Sequence, residues 1–292
     1  MGEIARGSEP GDSTRLLASV FEPFHSIVYY TPEIMRMTEF GYRGWWHAYF
    51  AYRFAPMGPV PASVVTATAY NFAPRFIERS VPGVWSIQPP AEALASHGSL
   101  VDAALGRIFG DGVFSETIEE AAALARRSVE GMDVGARALF GAHADLAWPT
   151  NPAKALLHAC TLLREYRGDS HNISLANADL DGVECHLLMA ARGHGNQATI
   201  EGIRGWTLEE WDAAAERLIE RGFLNTDKTE TAAGHQARSD LERETDRLSS
   251  APATRLGAAD AARLTDLLEP LVAHLTSNGE IAGQWPPPAV MK

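Results

Sequence analysis

Cysteine is nearly absent, with Cys160 and Cys185 the only two in 292 residues. Both fall inside apolar helical patterns, so buried thiols are expected rather than a disulfide or a metal pair. Long apolar runs are also missing. A stretch such as PVPASVVTATAY is too short and too polar for a membrane span, which takes about 20 residues. The opening MGEIARGSEPGDSTRLLASV shows no signal-peptide pattern. The expectation is a cytoplasmic protein with no membrane partner. Positive charge is scarce too, because 25 Lys and Arg against 37 Asp and Glu leave a net charge of -12. Such a balance opposes approach to a phosphate backbone. The chain has no glycine-rich phosphate loop, no HExxH and no GxSxG, so nucleotide-loop, zinc-protease and serine-hydrolase chemistries lack local support. No cofactor is indicated. Glu184, Cys185 and His186 are consecutive on a helical pattern and point in different directions, so they make no ligand set and no metal is expected.

Apolar residues are plentiful, at 46%, and recur at spacings of three and four in runs that end at Gly or Pro. The expected fold class is mainly α: an N-terminal helical domain, then a winged-helix-like domain with a small β-hairpin wing. Residues 1–12 are expected as a disordered lead, 13–150 as the helical domain with an aromatic-rich pocket, and 151–292 as the winged-helix-like domain with its C-terminal packing helices. The boundary is the proline-bracketed break Trp148–Pro152. Periodicity predicts a helix from Ser13 to about Tyr30. The segment GYRGWWHAYFAYRFAPMGP (41–59) predicts a helix that is aromatic almost all round and therefore buried on most sides. Trp46, Tyr49 and Arg53 share one of its faces, and Arg43, His47 and Phe50 another. Either it is a core helix whose arginines stack on rings, or it walls a pocket with Arg43 or Arg53 ready for an anionic group. Asn71 reads as a helix end or a pocket amide, with the helix end favoured.

Ionisable residues concentrate in REYRGDSHNISLANADLDGVECH (164–186). Upstream, His158, Leu162 and Glu165 lie on one side of a helix that Gly168 is expected to end, with Asp169 or Ser170 capping the next. Asp181 and Glu184 form the two halves of a capping box. These caps leave His158, Arg164, Glu165, Arg167, His171 and His186. An Arg–Glu network explains part of that remainder structurally. A carboxylate near two histidines also suits acid–base work, because each partner moves the other's pKa toward neutrality. The candidate catalytic residues are accordingly His171, Glu165 and His25. The candidate substrate-binding residues are Arg43, Trp46, Arg53, Arg164 and Arg167.

From Asp181 on, the sequence predicts a helix, a Gly-rich turn, a short helix, a longer helix opening with the capping box Thr207–Glu210, a hairpin at FLNTDKTET, and two more helices. This order resembles the winged-helix module of MarR-type regulators, which implies DNA binding. The segment that would enter the major groove, Thr207 to Gly222, nevertheless carries Glu209, Glu210, Asp212, Glu216 and Glu220 against Arg217 and Arg221. Groove readers need donors and cations, so charge disfavours DNA as a partner and favours packing or dimerisation. The last helix, with Leu264, Leu267, Leu268, Leu271, Val272 and Leu275, has the apolar excess of a packing helix or a homodimer interface.

Six segments together, EPFH (22–25), GWWHAYF (44–50), RFAPMGP (53–59), NFAP (71–74), REYRGDSH (164–171) and DGVE (181–184), resemble an actinobacterial family whose members carry a helix-turn-helix label. The resemblance implies a mainly helical fold and no particular reaction. The function expected is binding of a small molecule, by an enzyme of specialised metabolism that does acid–base chemistry on an anionic or aromatic substrate between the two domains. The alternatives are a ligand-responsive MarR-like regulator on DNA and a non-catalytic sequestering or resistance protein.

Overall fold

The computed structural model describes residues 10–110 and 115–281. Of the lead expected at 1–12, residues 1–9 lie outside the described residues, and a helix already runs from Pro10. This first helix, α1 (Pro10–His25), is followed at Ser26 by the short α2 (Ile27–Tyr30). The single helix expected over 13–30 is thus interrupted at Ser26, whose hydroxyl donates to the Pro23 carbonyl at 2.6 Å. Then come α3 (Pro32–Met35), α4 (Trp45–Phe54), α5 (Ala62–Thr68), α6 (Pro74–Glu78), α7 (Pro90–Phe109), α8 (Ser115–Val129) and α9 (Ala138–Ala144). Arg43 precedes α4 and is exposed, yet it stays beside His47 as expected, donating its backbone N–H to His47 Nδ1 at 3.2 Å.

The long helix α10 (Pro152–Asn177) starts at the proline-bracketed break. Asn151 accepts from the Lys154 N–H at 3.1 Å and Pro152 takes the first helical position. The helix does not stop at Gly168. A Cβ there would lie 3.0 Å from Arg164 Nη1 and 3.7 Å from Glu165 Oε2, so the glycine makes room for the folded-back guanidinium. Asp169 does cap a helix, but across the molecule: its Oδ2 accepts the Leu139 and Phe140 N–H groups at the start of α9, at 3.1 and 2.9 Å.

The chain continues as α11 (Gly182–Ala190), α12 (Gln197–Arg204), α13 (Leu208–Glu220), α14 (Ala232–Leu248), α15 (Ala251–Leu256) and α16 (Ala258–Ser277). Both predicted capping boxes form, Asp181 with Glu184 and Thr207 with Glu210. The β-hairpin wing does not. Among the described residues the pairing between α13 and α14 is one isolated antiparallel bridge, Leu224–Glu230. The reason is length: Gly222 closes α13 and Thr231 is already the N-cap of α14. Thr229 N–H donates to Asp227, and Asn225 N–H to the Thr229 carbonyl at 2.8 Å, so the tip is consumed by its own turn.

Two apolar cores result. The larger draws on residues 17–166 and 256–281, the smaller on 175–241. Helix α10 runs from one into the other, contributing Leu156, Leu162 and Tyr166 to the first and Leu175 to the second. Trp46 and Trp206 pack against both. The apolar face of α16 is covered within the chain, where Leu264, Leu268, Leu271 and Leu275 are fully buried in the larger core.

Candidate functional site

Where α10 passes between the two cores, one of its faces lines a cleft with a cavity volume of about 100 Å³. Arg164, Glu165, Gly168, Asp169, His171 and Asn172 come from this helix, at offsets of one, four, five, seven and eight from Arg164 that keep them on one side. The facing wall is Tyr49 and Arg53 of α4, the segment Thr68–Phe72, and Arg204 at the end of α12. Two hydrogen bonds fix the walls to each other: Asn172 Nδ2 donates to the Thr68 carbonyl at 2.9 Å, and Tyr70 Oη to the Leu180 carbonyl at 3.0 Å.

Glu165 is the electrostatic centre. It is 1% exposed and accepts from Arg53 Nε at 3.0 Å, Arg53 Nη2 at 2.9 Å and Arg164 Nη1 at 2.7 Å. Burial alone would raise its pKa, but the two guanidinium groups outweigh that and hold the carboxyl well below the usual carboxylate range. Arg53, also buried, donates to Tyr49 Oη as well. Arg204 lies 4.4 Å above the Phe72 ring. Burial first, with the like charges of Arg53 and Arg164 adding to it, lowers Arg204 to about 10, so it remains a cation at neutral pH. Asp169 is pushed up to about 6, chiefly by burial and against the stabilising α9 amides. Three cations therefore surround one firmly ionised carboxylate and one that titrates near neutrality. The cleft is positive in a protein of net charge -12.

The sequence-predicted site residues divide. Glu165, His171, Arg53 and Arg164 line the cleft. Trp46 stands one ring behind it, edge-on to Tyr49 and Phe72. Arg43 faces elsewhere, its guanidinium donating to the Arg79 carbonyl at 3.3 Å. Arg167 lies on another face of α10, 2.7 Å from Asp246 and 3.1 Å from Ser249. His25 is buried beneath the cleft rather than in its wall.

Both candidate histidines are saturated. Thr161 spends its hydroxyl hydrogen on the Leu157 carbonyl at 2.9 Å, so the 3.0 Å contact makes His25 Nδ1 the donor, and Nε2 accepts from Tyr29 Oη at 3.2 Å. His171 repeats the pattern. Thr245 Oγ1 donates to Leu241 at 2.8 Å and accepts from His171 Nδ1 at 3.1 Å, while Cys185 Sγ lies 3.8 Å from Nε2. Burial lowers His25 well below its ordinary value and His171 to about 3, so both are neutral at physiological pH.

Asn71, read from the sequence as a helix end in preference to a pocket amide, is a cleft residue. Arg204 and Asn172 carried no site signal in the sequence, whereas Tyr49 shares the predicted face of Arg53 and Asp169 belongs to the ionisable stretch, where it reads as a cap. The spacing of Asp169 and Asn172 from Glu165 would have placed them on its face had the helix been continued through Gly168.

Segment 71–76 is also the clamp on the turn between α12 and α13. Asn71's carbonyl accepts from Trp206 Nε1 at 3.0 Å and His186 Nε2 at 3.2 Å, and the Ala73 N–H donates to the Arg204 carbonyl at 2.9 Å. Arg75 donates to the Gly205 carbonyl and pairs with Glu210 in the first turn of α13. Arg217 of α13 and Arg221 just after it face solvent yet reach back to neighbouring elements. Arg217 bonds Glu184 at 2.8 Å and Asp181 at 2.6 Å, and Arg221 donates to the carbonyls of Asp179 and Ala178 at 2.6 and 3.0 Å. Glu209, Glu216 and Glu220 are left on the exposed face.

Among the described residues no helix is long and apolar enough to cross a membrane, and no group of three or more His, Cys, Asp or Glu could hold a metal ion. No curated protein and no solved structure matches the chain. A family model does, over residues 14–282, which take in both cores and the clamped turn: the chain belongs to a helix-turn-helix family.

Proposed function

We propose that this protein binds a small anionic molecule in the cleft beside α10, and that its helix-turn-helix packs the wall of that site instead of reading DNA. The observation that carries the reading is the placement of Arg53, Arg164 and Arg204 around a cleft whose firmly ionised carboxylate is Glu165 alone. Guanidinium groups in a sheltered, low-dielectric site favour a carboxylate or phosphate oxygen. Arg53, Arg164 and Arg204 all line the cleft and present guanidinium groups to the ligand, with Tyr49, Tyr70 and Phe72 supplying flat walls.

If the bound molecule is turned over, Asp169 is the group suited to move the proton. Its Oδ2 accepts the first amides of α9, the residue lines the cleft, and its pKa of about 6 lies near working pH. The saturated histidines then act as supports rather than proton carriers.

Mass spectrometry of the purified protein, first native and then denaturing, tests the binding reading. The expected result is an acidic adduct that leaves on denaturation and is carried less by Arg164→Gln than by the wild type. An adduct retained equally by both would place the ligand elsewhere.

A further inference from the structure

The cleft has walls from both cores. Arg53 and Arg164 belong to elements of the larger one, whereas Arg204 ends α12, whose Ile200 and Ile203 are buried in the smaller one. Arg204 is also the last helical residue before the helix-turn-helix turn, and its own carbonyl accepts from Ala73 N–H at 2.9 Å. Asn71 lines the cleft with its side chain's segment while its carbonyl holds Trp206 and His186. The parts of the chain that would touch a ligand are thus the parts that hold α12 and α13 in place. Without a ligand, like charges face one another across this junction: Arg204 is depressed in part by Arg53 and Arg164. Repulsion of this kind works against docking, and an anion placed among the three removes it.

We propose that an oxyanion bound in the cleft joins Arg164 on the larger core to Arg204 on the smaller one and so locks the helix-turn-helix against segment 71–76. The inference rests on the anion-binding reading of the cleft and adds to it a coupling: occupancy of the site is transmitted to α12 and α13. The shared chemistry is the oxygen fork of a carboxylate or a phosphate, which two guanidinium groups grip from opposite sides. The docked module is the bound state. In it, Glu210 at the start of α13 is paired with Arg75, the solvent-facing Arg217 and Arg221 are tied to Glu184 and to the Asp179 carbonyl, and the end of the helix that reads bases in DNA-binding relatives of this motif is occupied.

Hydrogen–deuterium exchange of the full chain tests the coupling, with inorganic phosphate as the probe and chloride at matched ionic strength as the reference. Ligand at ten times its dissociation constant slows exchange about tenfold in any unit whose opening requires release. The coupling predicts this slowing in two places at once: residues 164–172 at the cleft, and α12 with α13. Slowing confined to 164–172 would leave the binding reading intact and overturn the lock. No slowing anywhere would overturn the binding reading and the lock with it. In Arg204→Gln, slowing at 164–172 should persist while that in α12 and α13 disappears. Persistence in both would show that Arg204 is not the bridge. Should that variant fail to fold, the wild-type pattern decides alone.

Discussion

Gly168 sits in the middle of a 26-residue helix, where glycine costs roughly 1 kcal/mol relative to alanine. Its site offsets that cost, because the absent Cβ is the space in which Arg164 folds back onto Glu165. Gly168→Ala should therefore leave the unfolding free energy within about 1 kcal/mol of the wild type. The same change should weaken anion binding about tenfold, the worth of one charge-assisted hydrogen bond. Denaturant melts beside calorimetric titrations would separate the two effects. Glu165 gives the opposite pattern. It is a buried acceptor for two arginines, and Glu165→Gln should cost about 3–5 kcal/mol by leaving Arg53 uncompensated. Glycine was legible here as a helix breaker and nothing more, since a sequence shows what a residue permits locally and not which side chain occupies the room it leaves.

The buried histidines fix the response to acid. His97 and His158 are lowered to about 4, and His171 and His186 to about 3, each mainly by burial. A base with a depressed folded pKa takes up its proton on unfolding, so its contribution is fully present above the unfolded value near 6.5 and is lost as pH falls below it. Asp169, raised to about 6, has the opposite sign and favours the fold in acid. His25, His47 and His143 are lowered as well, against the raised carboxyls of Glu22 and Asp181, so the lowered bases outnumber the raised acids and decide the direction. Stability should fall as pH drops from 7 to 5, by about 1.4 kcal/mol per pH unit for each proton taken up on unfolding. Urea midpoints between pH 7 and 5 would show it, and a midpoint constant over that range would contradict these burials.

Among the elements, α13 is the one on which the proposed packing role of the helix-turn-helix rests. Its exposed face carries Glu209, Glu216 and Glu220, while Arg217 and the following Arg221 are engaged by Glu184 and the Asp179 carbonyl. Duplex DNA should not raise the fluorescence anisotropy of labelled protein above that of a scrambled polyanion control, and retention on heparin should be weak at low salt. Saturable binding to one duplex sequence would contradict this. The element order after Asp181 and both capping boxes were legible because a cap and its partner lie three residues apart. The wing was not. Its composition allows a hairpin, but the early N-cap at Thr231 leaves length for one bridge. Likewise the six leucine and valine positions of α16 announced an apolar face without saying that α1 covers it in the same chain.

For the whole molecule, the seam between the cores is a line of close backbone approach. A Cβ at Gly182 would lie 2.3 Å from the Tyr70 carbonyl oxygen, and one at Gly205, with φ of +79°, would lie 2.6 Å from Phe76 Cβ. Gly182→Ala should cost about 1–3 kcal/mol, and the loss should show as faster amide exchange over 182–241 with little change in the larger core. This seam could not be seen in the sequence. Arg164 and Glu165 announced themselves by crowding, but Asn71 and Arg204 are more than a hundred residues apart and meet only through the turn they share. Periodicity tells which face of a helix is buried and not which two faces come together.

The most direct measurement is a calorimetric titration of the full chain with inorganic phosphate, repeated for Arg164→Gln in the cleft and for Arg43→Gln outside it. The account predicts saturable binding to the wild type, affinity at least about tenfold weaker for Arg164→Gln, and no change for Arg43→Gln. Equal weakening in both variants, or no saturable heat with any of the three proteins, would contradict it.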